Sequence, residues 1–252
     1  MALIRGYSDF LKSVNEKPTL KHGLVLDTNI LVSATYEPDP AYREATELYD
    51  YLIELGIPTF CNVNVRAEFL EIHRRIIFTE ALLNFRTENL DSAAADNLNR
   101  KLHSLKTRTA KAEKNDSTFR LSDREIKDFK VLISKIEDRS RNAWLAFCNE
   151  SIGTKLSDLW SKTEAATGLQ FLSLRRDDHK NYIDTSPDWD EVAKLMEQYG
   201  LSSSDAMIMN IFLCSKFVGL VSSDIDIALS FKEMPDTGDK ILFIPDRAVR
   251  YL

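Results

Sequence analysis

The sequence predicts an α/β protein: a central parallel sheet with helices on both faces, a three-layer α/β/α arrangement, carrying an inserted helical arm. Three observations predict it. The first is the stretch Leu24-Val25-Leu26-Asp27-Thr28-Asn29-Ile30-Leu31-Val32-Ser33, an apolar run bounded by Gly23 and broken near its middle by one carboxylate and two small polar residues. A strand that is apolar at every position is buried on both faces, as in parallel sheets, whereas a half-exposed strand alternates. The second is that further short apolar runs, at 57–63, 217–221 and 240–244, alternate with stretches of helical spacing in the βαβ manner. The third is a polar stretch from Thr79 to about Glu150, depleted of Gly and Pro and without a strand-like run.

A chain of 252 residues that is 44% hydrophobic and 29% charged can bury a substantial core. One domain is expected, with a core at about 20–78 and 187–252 and a helical insertion at about 79–186. No apolar run approaches the roughly 20 residues that span a bilayer. The start, Met1 to Phe10, carries Arg5 and Asp9 without a signal-peptide core. A cytoplasmic protein without a membrane partner is expected. Cys61, Cys148 and Cys214 are odd in number, widely spaced and in apolar surroundings, which suits buried thiols rather than disulfides or a zinc knuckle. A net charge of −6 excludes a global attraction to nucleic acid, so basic patches have to be sought locally.

Taken in order, Leu3, Ile4, Tyr7, Phe10 and Leu11 have helical spacing before Pro18, which predicts a short packing helix between Ala2 and Lys21. The Asp27 strand follows. Asp39 and Pro40 start a helix through Ala45, Leu48, Tyr49, Leu52 and Ile53, closed by Gly56. Ile57 to Val63 reads as a second strand, after which Asn62 or Asn64 caps a helix through Val65, Phe69, Ile72, Ile76 and Ile77, with Glu68 in its first turns. In the arm, Arg100, Lys101, Lys106, Arg108, Lys111 and Lys114 face only Glu113 as an opposing charge, with His103 among them. Such a run is either a solvated helix face or a phosphate-contacting surface. Ser122 and Glu125 match a capping box ahead of the stripe Ile126, Phe129, Leu132, Ile133 and Ile136, and Trp144 continues it as a core residue. The stretch 168–174 has room for a turn or short strand. Arg175, Arg176, His179 and Lys180 form a second basic cluster mixed with Asp177, Asp178 and Asp184. Pro187-Asp188 opens a helix through Val192, Leu195 and Met196 that Gly200 ends, and Ser202 to Asp205 opens a helix apolar on nearly every side, hence buried. Strands at 217–221 and 240–244 complete the alternation.

Asp27 falls at the carboxyl end of its strand, the edge where open α/β sheets bind ligands. Glu68, Asp205 and Asp224 with Asp226 each stand at a strand-to-helix junction or in the first turns of a helix. Each also suits helix capping, Asp205 above all, since Ser202 and Asp205 have capping-box spacing. A set of Asp and Glu without convergent His or Cys is hard-oxygen chemistry, suited to Mg²⁺ or Mn²⁺. Two such ions hold a phosphodiester, turn a water into a nucleophile and stabilise the leaving oxygen. Asp224 and Asp226, two apart, share a direction only on an extended segment, and Asp224 is the preferred ligand.

These residues resemble a family. Leu26-Asp27-Thr28-Asn29, Arg66-Ala67-Glu68-Phe69-Leu70, Leu201-Ser202-Ser203-Ser204-Asp205-Ala206 and Val221-Ser222-Ser223-Asp224-Ile225-Asp226 look like the acidic motifs of PIN-domain ribonucleases, in order and in spacing, over about residues 22–78 and 187–246. The resemblance implies a PIN-like fold, cleavage of RNA, single-stranded by expectation, with Mg²⁺ or Mn²⁺, and frequently a homodimer. Carried over by motif, Asp27, Glu68, Asp205 and Asp224 are the catalytic metal ligands, with Asp226 as a further ligand and Thr28, Asn29 and Ser222 in support. Arg100, Lys101, Lys106 and Arg108, or Arg175, Arg176 and Lys180, are the candidate RNA contacts. An antitoxin-like partner belongs to the compact toxin members of the family, from which this chain departs by its long insertion between the second and third acids. Two rivals stand beside this reading: a catalytically silent PIN-like module that binds RNA or protein, and a phosphatase with Asp27 as nucleophile. The latter wants a second Asp where Asn29 stands.

Overall fold

The computed structural model describes residues 3–86, 93–115, 117–135, 142–173 and 176–252. The elements in chain order are β1 (Leu3–Gly6), α1 (Phe10–Glu16), β2 (Leu24–Leu26), α2 (Thr28–Thr35), α3 (Tyr42–Glu54), β3 (Thr59–Cys61), α4 (Val63–Leu83), α5 (Ala93–Lys114), α6 (Asp123–Ile133), α7 (Ala143–Ser151), α8 (Lys155–Thr167), β4 (Gln170–Phe171), α9 (Asp177–Lys180), α10 (Trp189–Tyr199), α11 (Ser203–Cys214), β5 (Gly219–Val221), α12 (Ile225–Glu233), β6 (Ile241–Ile244) and α13 (Asp246–Val249). The protein is α/β, and its six strands form one sheet in the order β1-β6-β5-β2-β3-β4 with every pairing parallel. Among the described residues no helix is long and apolar enough to cross a membrane.

The chain divides into two compact units, one of Met1–Glu37, Ala41–Phe69 and Ser161–Leu252, the other of Pro38–Pro40 and Leu70–Trp160. The first holds the sheet. Leu24, Leu26, Phe60, Phe217 and Phe243 are fully buried along it, and Phe10, Phe69, Phe212 and Phe231 are buried on its helices or at their ends. Gly23 is required where β2 begins: its φ is 140°, and a Cβ there would lie 2.7 Å from the Phe217 ring and 2.8 Å from the Phe60 ring. The second unit is helical, with a core of its own drawn from Phe78, Leu82, Leu98, Leu102, Leu105, Leu121, Ile126, Phe129, Ile133, Trp144 and Phe147. Trp144 stacks on Phe78 with centroids 5.3 Å apart, a core residue as its spacing suggested. The Ser122–Glu125 capping box forms, and Ile136 lies outside the described residues.

Two local expectations are corrected. Residues 3–6 are a strand rather than part of a helix, paired with β6 from Leu3↔Ile241 to Gly6↔Ile244. Only residues from Phe10 onward fulfil the helical spacing. As expected, the strand ends before Asp27, and the apolar residues after it form α2, whose Ile30, Leu31, Val32 and Ser33 are buried. The second strand closes at Cys61, because the Asn62 side chain accepts a hydrogen bond from the Val65 N–H at 3.0 Å and starts α4. Of the three thiols, Cys61 is buried and Cys148 and Cys214 are half-buried, all unpaired.

β2 and β5 are neighbours, in register from Leu24↔Gly219 to Leu26↔Val221. The chain leaves β2 toward β3 on one side and leaves β5 toward β6 on the other. That reversal opens a crevice at the carboxyl ends of the two strands. Residues directly following β2 and β5 therefore stand side by side at that edge of the sheet, Asp27 and Ser222 both buried there.

Candidate active site

Asp27 is the first residue past β2 and is 1% exposed. Its backbone N–H donates to the Val221 carbonyl at 2.9 Å. Its carboxylate is fully engaged: Oδ1 accepts from the Thr28 N–H at 2.6 Å, and Oδ2 accepts from the Ser222 hydroxyl at 2.7 Å and from the Asn29 amide at 3.4 Å. Asp27 thus caps α2 while closing the strand. The Ser222 Oγ also accepts from the Asp224 N–H at 3.0 Å. One hydroxyl, wholly buried, therefore ties the end of β2 to the turn after β5 across the reversal point.

Glu68 reaches the same place from α4. Its Oε2 accepts from the Thr28 hydroxyl at 2.9 Å and from the Ser204 hydroxyl at 2.8 Å, which links it to the first turn of α11. In that turn the Ser202 hydroxyl accepts from the Asp205 N–H at 3.3 Å and donates to Asp205 Oδ2 at 2.6 Å. Asp224 caps α12, accepting from the Asp226 N–H at 2.7 Å.

The carboxylates perturb one another. Burial pushes Asp27 up to about 7, with Glu68 and Asp205 raising it further against the opposing Ser222 and Thr28 hydrogen bonds. Asp205 is raised first by partial burial, then by Asp224 and Glu68, against the bonds from Ser202. Thr28 serves Asp27 through its N–H and Glu68 through its hydroxyl, and no Lys or Arg is among the partners described for these acids. That is a site holding unneutralised negative charge in a partly dry place, an arrangement found more often at functional sites than in scaffolding.

Asp27, Glu68, Asp205 and Asp224 are thereby brought to one edge with Thr28, Asn29 and Ser222 in contact. Asp226 is not. Because Asp224 is an N-cap, Asp226 sits in a helix rather than on an extended segment, where residues two apart point to different sides. It is exposed and lines a separate pocket of about 420 Å³ with Tyr199, Gly200, Leu229 and Glu233. Ser204, the second anchor of Glu68, escaped the sequence reading. Its signal was the run Ser202-Ser203-Ser204, in which only the capping position was used.

The basic candidates divide differently from their sequence order. On α5, Lys101 pairs with Asp128 at 2.6 Å, and Arg108 pairs with Glu125 while its guanidinium lies 4.3 Å from the Phe119 ring centroid. Arg100 donates to Asn97 at 2.8 Å. Lys106 is exposed and has no ion pair among the described residues. The expectation that only Glu113 opposes this run is therefore corrected, since α6 supplies acids that lie far off in sequence. In the second cluster Lys180 pairs with Asp177 at 2.7 Å, Arg176 is exposed, and Arg175 lies outside the described residues. His179 leaves that cluster altogether: it is buried, accepts from the Ser173 N–H at 3.2 Å and meets Phe60 edge-on.

Hard-oxygen donors suit Mg²⁺ or Mn²⁺. Among the described residues, however, no three His, Cys, Asp or Glu side chains are gathered closely enough to hold an ion as they stand. Compared with known proteins, the chain matches no family model, no curated protein and no solved structure.

Proposed function

We propose that the protein is a divalent-metal-dependent ribonuclease of PIN-like, three-layer fold, with Asp27, Glu68 and Asp205 as the principal ligands and Asp224 at their edge. The observation that carries this reading is the meeting of these acids at the reversal point of a parallel sheet, with Asp27 raised to about 7 by burial and by its acidic neighbours. The donor set fits a hard cation by its chemistry, being all oxygen, with no Lys or Arg among the partners described for it. A bound Mg²⁺ or Mn²⁺ supplies Lewis acidity to a phosphodiester oxygen and a water of lowered pKa. The chain's own part is positioning. Ser222 fixes the Asp27 carboxylate, Thr28 and Ser204 fix Glu68, and Ser202 fixes Asp205. Asp27 yields its proton near neutrality, so its carboxylate becomes available to a cation in the physiological range.

Single-stranded RNA incubated with the protein and Mn²⁺ is expected to be cleaved, with EDTA or Asp27→Asn abolishing it. Undiminished cleavage in either case overturns the assignment. A second reading, a silent PIN-like module that binds RNA without cutting it, draws on the use of Asp27 and Asp224 as helix caps and on the ungathered acids. RNA binding without any metal-dependent cleavage is its signature.

A further inference from the structure

Helix α11 carries more than the carboxylate end of the site. Ser204 and Asp205 open it, and Met207, Asn210 and Ile211 follow at helical spacing along a pocket of about 100 Å³ whose other wall includes Asp188, Trp189 and Val192 from the start of α10. The pocket shares α11 with Asp205 and with Ser204, which anchors Glu68. Met207 Sδ accepts from the Asn64 amide at 2.6 Å, and Asn64 lies one turn before Glu68 on α4. Five residues of α-helix separate Asp205 from Asn210, about 7.5 Å along the axis. That is about two steps of a stacked strand at roughly 3.4 Å each.

Two features of the pocket call for a ligand. Trp189 is 67% exposed although it stands at the first position of a helix whose cap is fixed, with Asp188 accepting from the Glu191 N–H at 2.9 Å. An indole of this size is ordinarily buried or set at a binding surface. Asn210 is the reverse, only 4% exposed, yet its side-chain Oδ1 has no hydrogen-bond partner. A buried amide with an unmet bond is costly, and turning about its terminal torsion presents either its oxygen or its nitrogen to an incoming group.

The geometry points to a nucleobase-binding subsite, in which a base stacks on Trp189 and offers its donor–acceptor edge to the Asn210 amide, one or two nucleotides from the bond to be cut. The ring must be flat to use the indole face, and every base has a π-face. It must carry a donor beside an acceptor to satisfy the amide in both senses, as adenine does with Asn. Leu and Phe side chains have neither group, Trp has a donor alone, and the Tyr hydroxyl donates and accepts through one atom, so it cannot meet the amide oxygen and nitrogen side by side. A phosphate is refused because Asp188 lies at the rim and no Lys or Arg lines the pocket. This subsite rests on the reading of the acids as an RNA-cleaving centre.

The test is equilibrium binding of oligoadenylate and oligouridylate hexamers to the full chain in EDTA, where no cleavage occurs, followed by fluorescence anisotropy of the labelled oligomer. Trp189→Ala is expected to weaken binding of the preferred oligomer by about fivefold or more, with Trp189→Phe restoring most of it, as stacking predicts. Asn210→Ala is expected to reduce the difference between the two oligomers. Should Asn210→Ala fail to fold, the exposed Trp189 pair decides alone. Unchanged affinity in Trp189→Ala, or absence of oligonucleotide binding by the wild type, overturns the subsite. If wild type fails to cleave with Mn²⁺ but its oligonucleotide binding depends on Trp189, the cleavage reading falls and the base subsite stands. If it cleaves and Trp189 is immaterial, the reverse holds.

Discussion

Helix α4 contributes to two carboxylate clusters that differ in one respect. Glu68 joins Asp27, Asp205 and Asp224, and the partners described for these acids are hydroxyls, amides and one another. Glu71, three residues on, joins Asp123 in the helical unit, and there two guanidiniums answer the two acids: Arg74 lies 2.6 Å from each, and Arg75 lies 3.0 Å from Glu71 and 3.2 Å from Asp123. The Arg74 hydrogen bond, with Arg75 and the Arg74 charge behind it, holds Glu71 down to about 2. Asp27, by contrast, stands at about 7. Paired acids are scaffolding, complete as they are. The acids around Asp27 are held by neutral donors among the described residues, and under the proposed function a cation completes them.

The largest effect that can break this comparison is on activity. Asp27→Asn, Glu68→Gln and Asp205→Asn should each reduce Mn²⁺-dependent RNA cleavage by more than about a hundredfold, beyond the 10–100-fold expected of residues that merely orient a ligand. Glu71→Gln should leave the rate of folded protein unchanged. Comparable losses from all four, measured as initial rates, would erase the distinction.

Stability should separate the clusters by the sign of its pH dependence. Asp27 has a folded pKa raised above 3.8, so its contribution is fully present below that value and is lost as pH rises through about 7. Glu71 has a folded pKa lowered from 4.5, so its contribution is present above 4.5 and is lost as pH falls toward about 2. In metal-free protein, the melting temperature of Asp27→Asn relative to wild type should therefore climb between pH 4 and 8, whereas the deficit of Glu71→Gln should shrink on acidification below pH 4. A flat difference for Asp27→Asn across that range identifies its carboxylate as a cap and nothing more.

The smallest effect concerns the arm. Lys101 and Arg108 are engaged by Asp128 and Glu125, whereas Lys106 has no ion pair among the described residues. Each phosphate contact on a single strand contributes about −0.7 to the slope of log affinity against log salt. Lys106→Gln should flatten that slope more than Lys101→Gln in an Asp27→Asn background. An equal change, or none, places the RNA path away from α5.

Much of this was legible in the sequence, and the misses have physical reasons. The apolar runs at β2, β5 and β6 are buried on both faces, so their composition declares them. Asp27, Asp205 and Asp224 stand at element junctions, where local capping rules already single them out, and Glu68 lies in the second turn of α4. β1 was hidden because four residues at a sheet edge carry little pattern, and Leu3, Ile4, Tyr7, Phe10 and Leu11 mimic a helix. α2 was not singled out because a helix buried nearly all round, with Ile30-Leu31-Val32 in it, has no amphipathic stripe to declare it. The ties of Glu68 to Ser204, 136 residues away, and of Asp27 to Ser222, 195 residues away, depend on the sheet order, which no local spacing encodes. The same is true of the acids on α6 that engage α5.

The most direct measurement is calorimetric titration of Mn²⁺ into metal-free protein at pH 8, where Asp27 is ionised, with wild type, Asp27→Asn and Glu71→Gln side by side. The account predicts that wild type and Glu71→Gln bind Mn²⁺ alike and that Asp27→Asn binds it at least about tenfold more weakly, the loss of a direct ligand exceeding the lower bound for an orienting one. Wild-type affinity in Asp27→Asn, or no Mn²⁺ binding by any of the three, contradicts it.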